Sequence, residues 1–143
     1  MPHREVKLLL VEDDEVDVMH LQRSFRQLRI ANPMVVANDG IEAFEILRGE
    51  NGRTVLEPPY IILLDLNMPR MTGLEFLEEI RNDPALRQSV IFVLTTSNDD
   101  ADKLKAYDQH VAGYIVKSEA GASFLEALQM LDRFWRVVEL PES

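Results

Sequence analysis

Glu12, Asp13, Asp65, Thr95 and Lys117 each stand at the end of a short apolar run that reads as a buried strand. The runs are Lys7 to Val11, Tyr60 to Leu64, Val90 to Leu94 and Tyr114 to Val116. The carboxyl ends of a parallel α/β sheet share one edge, where ligand sites form, so residues distant in sequence converge there. Three carboxylates, a hydroxyl and an amine in one pocket are unbalanced without a cation. The carboxylates repel one another but offer the oxygen ligands that magnesium takes, while the Lys and Thr can hold a phosphoryl group.

Helical patterns alternate with these runs. Val18, Leu21, Phe25 and Leu28 recur at spacings of three and four, with Arg23, Arg26 and Arg29 between them, which predicts the first helix. Pro33 to Ala37 reads as a second strand, and Asp39 with Glu42 forms a capping-box pattern opening a helix through Arg48. Gly49 to Pro59, with two Gly and two Pro, predicts a loop. Thr72 with Glu75 is a second capping box, and Leu74, Leu77 and Ile80 give the third helix a buried stripe before Asp83-Pro84 ends it. Ser97 or Asn98 can cap a fourth helix that is poor in apolar residues and carries Asp99, Asp100 and Asp102 in its first turn. The fifth helix is predicted from about Ser123 to Glu139.

With 143 residues the chain suffices for one compact domain, here 1–143, and leaves no room for a second. A net charge of -10 argues against nucleic acid as a direct partner, because phosphate contacts need clustered Lys and Arg. With no cysteine, disulfides and thiolate metal sites are excluded. No signal-like stretch opens the chain and no apolar run approaches the roughly 20 residues that span a bilayer, so a soluble cytoplasmic protein is expected.

The strand-end residues sit in recognisable motifs: Leu8-Leu9-Leu10-Val11-Glu12-Asp13, Leu63-Leu64-Asp65-Leu66-Asn67-Met68-Pro69 followed by Thr72-Gly73, Leu94-Thr95-Thr96, and Gly113-Tyr114-Ile115-Val116-Lys117. Together, and at these intervals from Asp65, they resemble the receiver domain of two-component response regulators over nearly the whole chain. The resemblance implies a flavodoxin-like, doubly wound (βα)5 sheet of order 2-1-3-4-5. It also implies a signalling switch rather than an enzyme, with no output domain, that takes a phosphoryl group from a histidine kinase and acts by protein contact. The long loop before the third strand and Ser118 resemble, more narrowly, the small regulators of bacterial phytochromes. Ser118 replaces the proline that usually follows the family lysine through a cis bond, and cis geometry costs about 2.5–4 kcal/mol before a non-proline residue.

Residue by residue, Asp65 is the candidate nucleophile, able to carry an acyl phosphate. Asp13 would ligate Mg2+ directly, Glu12 through water, and Asn67 through its backbone carbonyl. Asp14 competes with this acidic pair but reads as a charge opening the first helix. Thr95, with Thr96 as the weaker candidate, and Lys117 would hold phosphoryl oxygens, and Thr95 with Tyr114 would form the switch. Asn67 and Ser97 would tune hydrolysis. His3, His20 and His110 are not phosphodonors. Two rival chemistries fail on residues. A haloacid-dehalogenase-type magnesium phosphatase needs an acid two residues after its nucleophile, where this chain has Asn67. An FMN carrier needs a hydroxyl- and Gly-rich loop where this chain has Glu12-Asp13-Asp14-Glu15.

The fifth helix carries two apolar stripes. Phe124, Leu128, Leu131, Trp135 and Val138 satisfy the core; Met130, Phe134 and Val137 form a second set, extended by Leu140. That second stripe predicts a homodimer through helix four, strand five and helix five, the alternative being that it packs under the chain's own C-terminal tail.

Overall fold

The computed structural model describes residues 5–66, 68, 70–95, 100–116 and 122–137. Strand and helix alternate from end to end: β1 (Lys7–Val11), α1 (Glu15–Gln27), β2 (Met34–Ala37), α2 (Gly40–Arg48), β3 (Tyr60–Leu64), α3 (Gly73–Asn82), β4 (Val90–Thr95), α4 (Asp100–Asp108), β5 (Gly113–Val116) and α5 (Ala122–Val137). The strands form one parallel sheet in the order β2-β1-β3-β4-β5. This is the doubly wound order that the resemblance implies, with its reversal point between β1 and β3.

Alternate residues of each strand feed opposite layers. Leu9, Val11, Ile62, Leu64, Ile91 and Val93 pack with Phe44, Leu47, Phe76, Leu77 and Ile80 from α2 and α3. Leu8, Leu10, Ile61, Leu63, Phe92 and Leu94 pack with Leu21 and Phe25 of α1 and with Leu128 and Leu131 of α5. Burial on both faces is why the strands read as continuous apolar runs rather than alternating ones. No helix among the described residues is long and apolar enough to cross a membrane.

Several boundaries move by a residue for local reasons. β2 starts at Met34 because Pro33 has no N–H to donate; Pro33 contributes only its carbonyl, which accepts from Leu8 at 2.8 Å. β5 starts at Gly113, where a Cβ would lie 2.9 Å from the Phe92 ring. Thr72 and Glu75 form the complete reciprocal capping box. At α2 the box is half made: Asp39 accepts from the Glu42 N–H at 2.8 Å, but the Glu42 carboxylate accepts from Asn38 rather than from Asp39. In α3 the fully buried residues are Phe76, Leu77 and Ile80, whereas Leu74 is only partly covered. The capping residues Ser97 and Asn98 lie outside the described residues.

Helix α5 corrects the reading of its second stripe. Phe134 does not stand free: it is partly buried in the α1–α5 layer and packs edge-to-face on Phe92, with ring centroids 5.2 Å apart. Met130, one turn earlier, is 71% exposed. The side chains of Phe124, Trp135 and Val137, and residues Val138 and Leu140, lie outside the described residues.

Candidate metal centre

Register builds the site. Val11 of β1 pairs with Leu64 of β3, so the next residue of each strand emerges at the same edge. The Asp65 N–H donates to the Val11 carbonyl and the Glu12 N–H to the Ala37 carbonyl, both at 3.0 Å. Glu12, Asp13 and Asp65 thereby each bring a carboxylate oxygen within 4.8 Å of the others, a cluster that is unique among the described residues. Glu12 is 3% exposed and Asp65 6%, while Asp13 opens to solvent. A cavity of about 310 Å3, lined by Glu12, Asp13, Glu15, Val18, Met19, Val36 and Asn38, opens on the α1 side of the pair.

Asp14 is engaged elsewhere. Its Oδ1 accepts from the N–H groups of Val16 at 2.9 Å and Asp17 at 3.3 Å, which makes it the N-cap of α1 rather than a first-turn charge. Its own N–H donates to Glu12 Oε1 at 3.2 Å, which tightens the turn between the strand and the helix.

The donor set suits a divalent cation. Hard cations of the Mg2+ and Ca2+ type take carboxylate oxygens, and three such oxygens at these separations converge on one ion with small adjustments. Without one, unit charges this close repel by about 3 kcal/mol per pair at an effective dielectric constant near 20. A bound divalent cation removes that repulsion.

The chain that leaves Asp65 is held against α3 by a close approach. Gly73 N–H donates to the Leu66 carbonyl at 2.9 Å, and a Cβ on Gly73 would lie 2.5 Å from Leu66 Cα and 2.7 Å from the Asp65 carbonyl oxygen. Both obstacles are backbone, which cannot swing aside. Gly73→Ala is therefore expected to cost about 1–3 kcal/mol, as overpacking does, and to disturb the Asp65 loop; chemical unfolding with and without divalent cation measures both.

β4 reaches the same edge, with Thr95 opposite Val116 of β5. Lys117, Ser118, Asn67, Thr96 and the side chain of Thr95 lie outside the described residues. Tyr114 is half-buried against the layer formed with α2 and α3, and the Lys103 ammonium lies 5.7 Å from its ring centroid. His20 and His110 are exposed, away from the core.

The sequence reading missed a tie between α2 and the loop after Asp65. Asp39, the 6% exposed N-cap of α2, accepts from the Arg70 guanidinium through Nε at 2.9 Å and also through Nη2. Burial alone would raise the Asp39 pKa, but the Glu42 N–H and the Arg70 charge outweigh it and hold the carboxyl below the usual carboxylate range.

Known proteins share this fold. The chain is 33% identical over 135 residues to response regulator Rcp1 of Synechocystis sp., covering 94% of this chain and 92% of that protein. Its structure is similar to that of the phosphorylated cyanobacterial phytochrome response regulator RcpA, with a TM-score of 0.83 at 35% identity over 94% of this chain and 97% of the other. It is also similar to the Mn2+-bound form of Rcp1, with a TM-score of 0.79 at 32% identity over 94% and 98%. A family model described as the response regulator receiver domain matches residues 8–129. Since that match runs from the first strand into the last helix and takes in the carboxylates at the β1 and β3 ends, the chain belongs to the response regulator receiver domain family.

Proposed function

We propose that Asp65 is the phosphoryl acceptor of this receiver and that Mg2+ is the ion its acidic cluster takes. The observation that carries this reading is the convergence of Glu12, Asp13 and Asp65 within 4.8 Å at the adjoining ends of β1 and β3. An Asp65 oxygen attacks the phosphorus of a phosphohistidine on a partner sensor kinase. The P–N bond breaks as the P–O bond forms, and the histidine nitrogen leaves with its electron pair and takes up a proton. The Asp65 acyl phosphate that results is later hydrolysed by water. Bound Mg2+ supplies the positive charge that such an exchange needs beside three carboxylates. Lys117 and the Thr95 hydroxyl would hold phosphoryl oxygens, the Asn67 backbone carbonyl would add an oxygen ligand for the ion, and Thr95 with Tyr114 would relay the change. Similarity to RcpA, a cyanobacterial phytochrome response regulator, supports a role downstream of a bacterial phytochrome.

Phosphotransfer from purified histidine kinases, with the product mapped by mass spectrometry, tests the reading. One base-labile phosphoryl group on Asp65, formed only with a divalent cation, is expected. Turnover of phosphate esters in place of kinase-dependent labelling would return the haloacid-dehalogenase alternative.

A specific observation also favours a homodimer around the edge strand β5. Leu104 and Tyr107 of α4 and Met130 of α5 are large apolar residues left exposed on the helices that flank it. Because Phe134 is packed on Phe92, Met130→Asp is the cleaner probe. It is expected to shift a wild-type dimer to monomer in sedimentation at tens of micromolar without lowering stability; a monomeric wild type, with and without an acyl-phosphate mimic, ends the idea.

A further inference from the structure

The loop between Asp65 and α3 is closed at its ends and gripped in its middle. Gly73 N–H closes it onto the Leu66 carbonyl, while Met71 sits over Gly40 so tightly that a Cβ there would meet its Sδ at 2.7 Å. Between these contacts Arg70 adopts φ +65°, a left-handed conformation that non-glycine residues seldom take. Its guanidinium lies on Asp39 Oδ2, while Asp39 Oδ1 caps α2 through the Glu42 N–H. One carboxylate therefore anchors a helix with one oxygen and the Asp65 loop with the other.

These contacts complete a circuit around the cluster. Asp39 stands two residues beyond Ala37, whose carbonyl accepts from Glu12; Arg70 lies in the loop that begins at Asp65, whose N–H is held by Val11. The Arg70 to Asp39 contact is a side-chain bond that joins the Glu12 branch to the Asp65 branch outside the sheet. Its guanidinium is 60% exposed while the Asp39 side chain is only 9% exposed, so solvent screens the pair from one side only. Glycine would take the Arg70 backbone conformation without strain. Turn geometry does not explain an arginine here, whereas a cation that meets the buried Asp39 carboxylate and holds the loop to it does.

We infer that the Arg70–Asp39 pair is a positioning strut for the acceptor site. It fixes the loop after Asp65 against α2 and so sets the divalent-cation affinity of the Glu12, Asp13 and Asp65 cluster. The inference rests on the reading of that cluster as the cation site. Arg70 acts through the loop and touches no reacting atom.

Three variants separate positioning from folding. Arg70→Gly removes the guanidinium and suits the backbone; Asp39→Asn keeps a cap acceptor and removes the charge; Arg70→Lys keeps a cation without the fork. Binding of Mn2+ alone is followed by electron paramagnetic resonance, exchange of the Gly73 amide by NMR, and unfolding by heat without metal. Arg70→Gly and Asp39→Asn are expected to bind Mn2+ about tenfold more weakly, the range seen when a partner that orients a ligand is lost. Gly73 should exchange faster in both. Arg70→Gly leaves the buried Asp39 carboxylate without its cation and should unfold at a somewhat lower temperature while staying folded under the binding conditions, and Arg70→Lys should recover part of the affinity. If the wild type binds Mn2+ and Arg70→Gly matches it in affinity and in Gly73 exchange, the strut is overturned while the site stands. A wild type that binds no Mn2+ overturns the site reading and the strut with it.

Discussion

Asp65→Asn is expected to take up no phosphoryl group from a kinase or from a small acyl phosphate, with its fold unchanged. The substitution keeps the shape of the side chain, so the edge where β3 follows β1 and the Asp65 N–H bond to Val11 should survive. It exchanges a carboxylate for a neutral amide, which is a poor nucleophile for phosphorus. It also removes one of three negative charges lying within 4.8 Å, so metal-free stability should hold or rise. Intact-mass spectrometry after incubation with donor reads the chemistry, and circular dichroism with chemical unfolding reads the fold. Stoichiometric labelling of the variant would move the acceptor elsewhere, with Asp13 the first residue to examine because it shares the cluster and faces solvent.

The strands were legible because each lies in a sheet covered on both sides. Leu8 to Val11 and Ile61 to Leu64 are almost fully buried, and only continuous apolar runs satisfy that environment. Their order was not legible from these runs, which carry no mark of their neighbours; it came from the resemblance. The acidic cluster was legible because a charge directly after such a run is costly unless a site uses it. Helix stripes were read less well. α3 buries Gly73, Phe76, Leu77 and Ile80, a set spaced by three, one and three, whereas the sequence reading took every third residue from Leu74 and so missed Phe76. For Phe134, periodicity gave an angle on the helix but not the reach of Phe92 from β4. The ties of two arginines were invisible for a different reason. Arg70 finds Asp39, and Arg81 donates to the carbonyls of Gln109, Arg87, Ser89 and His110, across separations that no local spacing encodes. Both are charged residues on an otherwise ordinary helix or loop, and only the fold reveals their partners.

Asp13→Ala and Asp14→Ala are expected to respond to Mg2+ in opposite patterns, although the two residues are neighbours. An ion that binds only the folded state stabilises it by RT ln(1 + [L]/Kd), about 2.7 kcal/mol when the ion is at one hundred times its Kd. Asp13→Ala removes a cluster oxygen and should lose most of that gain, while relief of repulsion leaves its metal-free stability equal to or above wild type. Asp14→Ala leaves the cluster intact and removes the α1 cap, which costs about 1 kcal/mol with and without the ion. Urea unfolding at a series of Mg2+ concentrations therefore separates them by shape. The Asp14→Ala curve should run parallel to wild type and below it, and the Asp13→Ala curve should be nearly flat. The reverse assignment, a flat Asp14→Ala curve and a rising Asp13→Ala curve, would mean that the ion sits one residue further along the chain and that the α1 cap yields its carboxylate when the ion binds.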